Sequence, residues 1–153
     1  MLLEHGASPN TDNDADCKEC TLLSAAFTLH RTQFARLLLT RNVDRTYFNQ
    51  EQYSLLDECA HRGDVEMMQV LLDNGADINH KRFSIKYTPL MTAATGGNVK
   101  SVRFLLAHHA APELKCDWGL TALQIVRHSR HANSQVIALL VEAEHKAKES
   151  HAR

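Results

Sequence analysis

Thr88-Pro89-Leu90-Met91-Thr92-Ala93-Ala94-Thr95-Gly96-Gly97-Asn98 decides the fold of this chain. Thr88 is suited to capping a helix N-terminus. Pro89 fits the first helical turn, where its missing N–H costs nothing. The pair Ala93-Ala94 keeps the helix slim, so that a neighbouring helix can approach closely. Gly97 stands after the helix, where a left-handed backbone is commonly needed, and Asn98 caps a second helix. That second helix carries Val99, Val102 and Phe104-Leu105-Leu106, an apolar face at helical spacing.

The same phrase occurs four times, starting at Thr21, Ser54, Thr88 and Thr121, with spacings of 33, 34 and 33 residues. A fixed period of this size predicts stacked repeats instead of one closed globule. Small residues recur in the first helix as Ala25-Ala26, Cys59-Ala60 and Ala93-Ala94. Gly63 and Asp64 fill the turn and cap positions of the second copy. The second helices carry Leu37-Leu38-Leu39, Val70-Leu71-Leu72 and Phe104-Leu105-Leu106, and end at Asn42, Gly75 and His109. The last copy needs about two extra residues between His128 and Asn133 before Val136-Ile137-Ala138-Leu139-Leu140 regains register.

Thr88-Pro89-Leu90, Ala93-Ala94 and Gly97, with Leu71-Leu72-Asp73-Asn74-Gly75-Ala76-Asp77-Ile78-Asn79, resemble ankyrin repeats. The resemblance covers residues 21–141, and Leu2-Leu3-Glu4-His5-Gly6-Ala7-Ser8-Pro9-Asn10 resembles the tail of one more repeat. It implies an all-α solenoid of helix–turn–helix units with hairpin-like fingers along one edge, and a role in protein–protein binding without catalysis. One domain over 1–153 is expected. It would contain a remnant at 1–10, repeats at 21–53, 54–87, 88–120 and 121–145, and a frayed charged tail at 146–153. The remnant implies either a piece of a longer array or a truncated product of this start site. Ser24, Asp57, Met91 and Gln124 replace the histidine usual in the family, which alters that hydrogen-bond network. His30 and Arg130 stand where the inter-helix glycine belongs, and Arg127 replaces a small alanine. The outer copies therefore read as atypical end caps.

Composition narrows the function. Apolar residues make up 44% and the net charge is −1, so no global field recruits nucleic acid or anionic membrane. No apolar run approaches the roughly 18 residues of a membrane span, and the N-terminus has no signal-peptide pattern. Four cysteines spread through the chain do not resemble a disulfide framework. A reducing setting is expected, the cytoplasm or the nucleus, with the chain a monomer.

Three local motifs resemble chemical sites but are incomplete. Cys17-Lys18-Glu19-Cys20 could supply half of a zinc site, but no second pair stands at the usual spacing, and a redox couple would need an α/β context. Asp12-Asn13-Asp14-Ala15-Asp16 opens like a calcium loop. Cys17 then stands where the glycine is required and Leu23 where the glutamate is. The ten histidines, such as His61, His80 and His128, read as surface residues. Phosphate-loop, dinucleotide, zincin and nucleophile-elbow patterns are missing, so no enzyme, cofactor or metal is expected. Asp57-Glu58 shows no partner in the sequence.

Binding positions follow from the ankyrin register: finger tips, the residue before each Thr or Ser, and the exposed end of the first helix. They give Tyr53, Tyr87 and Leu120 as a row along a concave groove, Ile85 and Trp118 on fingers, and His61 and Arg62 at a helix end. Aromatics and arginine are the usual interface anchors, so Tyr53, Arg62, Tyr87 and Trp118 are the expected hot spots for a protein partner. The alternative is that Tyr87 and Trp118 merely cover the finger bases. A second reading makes the chain the substrate-recognition segment of a larger enzyme such as a ubiquitin ligase or kinase. Leu71 to Asn79 also resembles substrates of asparaginyl hydroxylation in ankyrin repeats, with Asn79 as acceptor.

Overall fold

Ser54, Thr88 and Thr121 each adopt extended backbone, and each side chain accepts a hydrogen bond from the N–H three residues on, at Asp57, Met91 and Gln124. These caps satisfy N–H groups that a helix start leaves without partners. They were found in a computed structural model that describes residues 26, 29, 31–40, 54–82, 84–129 and 132–151. The Thr21 cap, the Cys17-Cys20 pair, the Asp12–Asp16 stretch, the Leu2–Asn10 remnant, His30, Tyr53 and Arg130 lie outside those residues.

Seven helices are bounded there: α1 (Thr32–Thr40), α2 (Leu55–Arg62), α3 (Val65–Asp73), α4 (Pro89–Thr95), α5 (Val99–Ala107), α6 (Ala122–His128) and α7 (Ser134–His151). Ala26 is helical and buried as well. The fold is all-α, and no sheet forms among the described residues. Helix pairs α2–α3, α4–α5 and α6–α7 are the repeats. The first helices α2, α4 and α6 stack on one another, and the second helices α1, α3, α5 and α7 make a parallel layer beside them. Leu38, Leu39, Met67, Met68, Leu90, Met91, Leu105 and Leu140 are fully buried between the layers, one continuous core shared by successive repeats.

The turns explain the register. Gly63 (φ +82°) and Gly97 (φ +66°) take the left-handed backbone, as does Gly75 (φ +84°) after α3. His109 stands at the matching place after α5 with φ +64° and keeps the same bonds: Ala110 N–H reaches Leu105 O at 2.9 Å as Ala76 N–H reaches Leu71 O at 3.0 Å. Asp64 and Asn98 cap α3 and α5. Asn98 Nδ2 also donates to His61 O (3.4 Å), and Asn133 Nδ2 donates to Gly97 O (3.2 Å), so each turn is hooked to the one before it. Asn133 follows Thr121 by twelve residues where Asn98 follows Thr88 by ten, which puts the two extra residues in the turn between α6 and α7.

The C-terminal end differs from its neighbours. Gln124 and Arg127 are exposed at the places where Met91 and Ala94 are buried one repeat earlier, a polar outer face of the kind a terminal repeat needs. Helix α7 has 18 residues against nine in α5 and stays helical to His151, where the sequence reading has a frayed tail from 146. The extension is tied down at Glu144, whose carboxylate accepts from the Thr121 hydroxyl at 2.7 Å, and by the Lys146–Glu142 pair at 2.6 Å. Lys146 is also the main reason that the Glu142 carboxyl titrates below the usual range.

Asp57 has partners that the sequence did not reveal. Its carboxylate accepts from Ser54 N–H (3.0 Å) and Ser54 Oγ (2.8 Å), closing a capping box, and it is fully buried. Burial pushes its pKa above the usual aspartate value, and the Ser54 bonds with His80 and Arg82 nearby offset only part of that. The folded chain therefore holds the Asp57 proton more tightly than the unfolded chain. Stability from this group is full below the unfolded value of about 3.9 and is lost as pH rises through the folded value. The D57N variant should lose that slope. Chemical denaturation of both proteins from about pH 3 upward tests it, and parallel curves would count against a raised Asp57. His80 is half-buried in this corner, not a surface histidine.

Candidate functional site

Among the described residues, two connections between repeats project as fingers. In the first, Arg82 N–H donates to Tyr87 O (2.8 Å) and Lys86 N–H to Arg82 O (2.8 Å), with Lys86 in the left-handed region at φ +52°. In the second, Cys116 N–H donates to Leu120 O (3.1 Å) and Gly119 N–H to Cys116 O (2.9 Å). Gly119 turns the tip with φ +71°. Below the tips, Asn79 Oδ1 accepts from Ala111 N–H at 2.9 Å, so the candidate hydroxylation acceptor also links one finger to the next repeat.

The fingers close on each other in three steps. Asp117 N–H donates to Ile85 O (3.3 Å), Lys86 Nζ pairs with Asp117 Oδ1 (3.1 Å), and the Tyr87 and Trp118 rings meet edge to face with centroids 6.0 Å apart. Edge-to-face contact places the positive rim of one ring on the negative face of the other. Tyr87 and Leu120 are half-buried against the core, whereas Trp118 is 63% exposed at the tip. A large apolar ring held by a neighbour and still open to solvent is a ready contact for another molecule.

Four of the residues selected from sequence, Ile85, Tyr87, Trp118 and Leu120, thus come together at the finger end. His61 and Arg62 do not join them. They are exposed at the C-terminal end of α2, one helix length away, and Arg62 pairs with Glu58 one turn back. The His61 ring lies over Gly96, where an added Cβ would meet Nδ1 at 3.1 Å. Sequence reasoning missed Lys86 and Asp117 as the pair that sets the finger spacing, because neither belongs to the repeated phrase.

Among the described residues no group of three or more His, Cys, Asp or Glu is placed to hold a metal ion. No described helix is long and apolar enough to cross a membrane. Cys59 and Cys116 are buried, and burial pushes the Cys59 thiol well up, which makes it a poor nucleophile.

The geometry agrees with comparison to known proteins. The family profile described as Ankyrin repeats (many copies) matches residues 56–106. The chain is 33% identical over 113 residues to the Caenorhabditis elegans ankyrin repeat and KH domain-containing protein mask-1, which covers 71% of this chain and 4% of that protein. The chain belongs to the ankyrin-repeat family. It is also 32% identical over 103 residues to the E3 ubiquitin-protein ligase hecd-1 of the same organism, covering 66% of this chain and 4% of the ligase. Against the mouse 2-5A-dependent ribonuclease it is 38% identical over 71 residues, 46% of this chain and 10% of the ribonuclease. The chain therefore spans a small part of each of these relatives. Ankyrin repeats are protein-interaction modules, and the described helix pairs, glycine turns and fingers are those of an ankyrin stack.

Proposed function

We propose that this ankyrin stack binds another protein through its paired fingers and the adjoining face of the first helices, as an adaptor, a targeting segment or a stoichiometric inhibitor. The observation that carries the reading is the Tyr87–Trp118 pair, which holds an indole 63% exposed at a finger tip. Tyr87 supplies a rigid base and Leu120 an apolar floor, while Ile85 and the Lys86–Asp117 pair keep the tips in register. Tyr53, which has the same repeat position in the sequence, is a further candidate anchor, and His61 and Arg62 supply polar contacts toward the turn edge. No chemical step is assigned to the chain.

Y87A and W118A should each weaken the complex by more than about 1 kcal/mol, as truncation of aromatic anchors does. Proximity labelling compared between wild type and the double variant identifies the partner, and titration with that partner gives the loss. Both sites are at the surface or half-exposed, so circular dichroism should show intact folding. Unchanged affinity in a folded double variant would sink the assignment. A second reading, recognition of substrate for a larger enzyme, is favoured by the small share of hecd-1 and of the ribonuclease that the chain spans. Sequence flanking this stretch in the gene decides between the two.

A further inference from the structure

The outer layer of second helices carries a groove of about 830 Å³ between the starts of α1 and α3, reaching to α5. Phe34, Val65 and Phe104 line it with Gln69, and Arg31 and Arg36 stand along it. Phe34 is 39% exposed and both arginines are exposed, a combination of aromatic and guanidinium groups typical of protein contacts. The groove lies on a different helix layer from the fingers and shares no residue with them.

Charge says what kind of molecule would sit there. At the other end of the same layer the chain supplies its own acid: Arg103, one repeat on from the place matching Arg36 in α3, lies close enough to Glu142 to help hold that carboxyl below the usual range. Around Arg31 and Arg36 no described residue supplies such a partner. Glu66 lines the groove but lies within ion-pair distance of neither arginine, and no other acid among the described residues lines it. Two guanidiniums beside an apolar floor match a carboxylate-bearing segment with a bulky apolar side chain, since arginine pairs with carboxylates in a fixed two-pronged geometry.

We infer that the α1–α3 groove is a second docking surface, which takes an acidic, amphipathic segment of another protein independently of the fingers. The probe is a labelled helix-forming peptide with leucines four residues apart among glutamates, compared by fluorescence anisotropy with the same peptide carrying lysines in place of glutamates. The acidic peptide should bind about tenfold more tightly than the basic one. It should lose about tenfold in the R31E/R36E double variant and weaken with added salt, as charge-guided contacts do. The Y87A/W118A variant should bind it as wild type does, which separates this inference from the finger reading. Both arginines are exposed, so the charge-reversed protein should melt like wild type. Equal binding of both peptides, no saturable binding, or binding insensitive to R31E/R36E would overturn the proposal. Self-association of the wild type that the double variant abolishes would also overturn it, by assigning the groove to a second copy of the chain.

Discussion

Replacing Leu90 with alanine is expected to destabilise the fold by about 2–5 kcal/mol, the range for truncating a fully buried leucine. Leu90 is 1% exposed on α4, the middle of the three first helices bounded among the described residues. Its neighbours Met91, Ala93 and Ala94 are buried as well, and the alanines are too short to close a void. In a stack each repeat contacts only its neighbours, so a cavity in the middle weakens the interfaces on both sides. Urea unfolding should show a lower midpoint for L90A, and L90M, which conserves volume, should cost less than about 1.5 kcal/mol. A loss below about 1 kcal/mol for L90A would mean that α4 is not the centre of the packing.

The second large effect is expected at Gly63, where G63V should cost about 2–4 kcal/mol. Two causes add. The left-handed backbone at φ +82° penalises a side chain by about 1–2 kcal/mol, and more for a β-branched one. A Cβ there would also run into Asn98, whose Oδ1 would lie 2.9 Å away and Cγ 3.0 Å. Asn98 cannot move cheaply, since Oδ1 caps α5 at Ser101 N–H (3.4 Å) and Nδ2 bonds His61 O (3.4 Å). Losing those contacts adds about 1–2 kcal/mol. Gly119 isolates the first cause: its φ is +71°, but nothing lies within 4 Å of an added Cβ. G119A should therefore cost only about 1 kcal/mol. Equal losses for G63V and G119A in thermal unfolding would show that the Asn98 contact contributes nothing.

These two positions show what could be read before the structure. Leu90 and Gly63 belong to the repeated phrase, and a phrase recurs because each copy must solve the same local problem of cap, turn and apolar face. Ser54, Thr88 and Thr121 as caps, and the extra residues before Asn133, were legible for that reason. What lies between copies was not. The burial of Asp57 depends on how α4 covers α2, and its bond to Ser54 shows only once α2 is drawn as a helix with its cap. The left-handed Lys86 and its pairing with Asp117 depend on the distance between fingers, which no period records. Arg31 and Arg36 look like ordinary surface charges until the layer is assembled and no acid partner stands beside them among the described residues. The length of α7 was half-legible: its residues favour a helix, but the Thr121–Glu144 bond that ties it down joins positions 23 residues apart.

The two asparagine hooks, Asn98 to His61 O and Asn133 to Gly97 O, have a mechanical meaning. They sit along the turn edge, while the opposite edge is joined by the finger contacts of Asp117 with Ile85 and Lys86. A coil fastened along both margins has its pitch set by those fastenings, and it can fan open on one side only by releasing the contacts on that side. A partner that grips Trp118 and pulls would strain the finger margin first, and the asparagines would serve as the hinge.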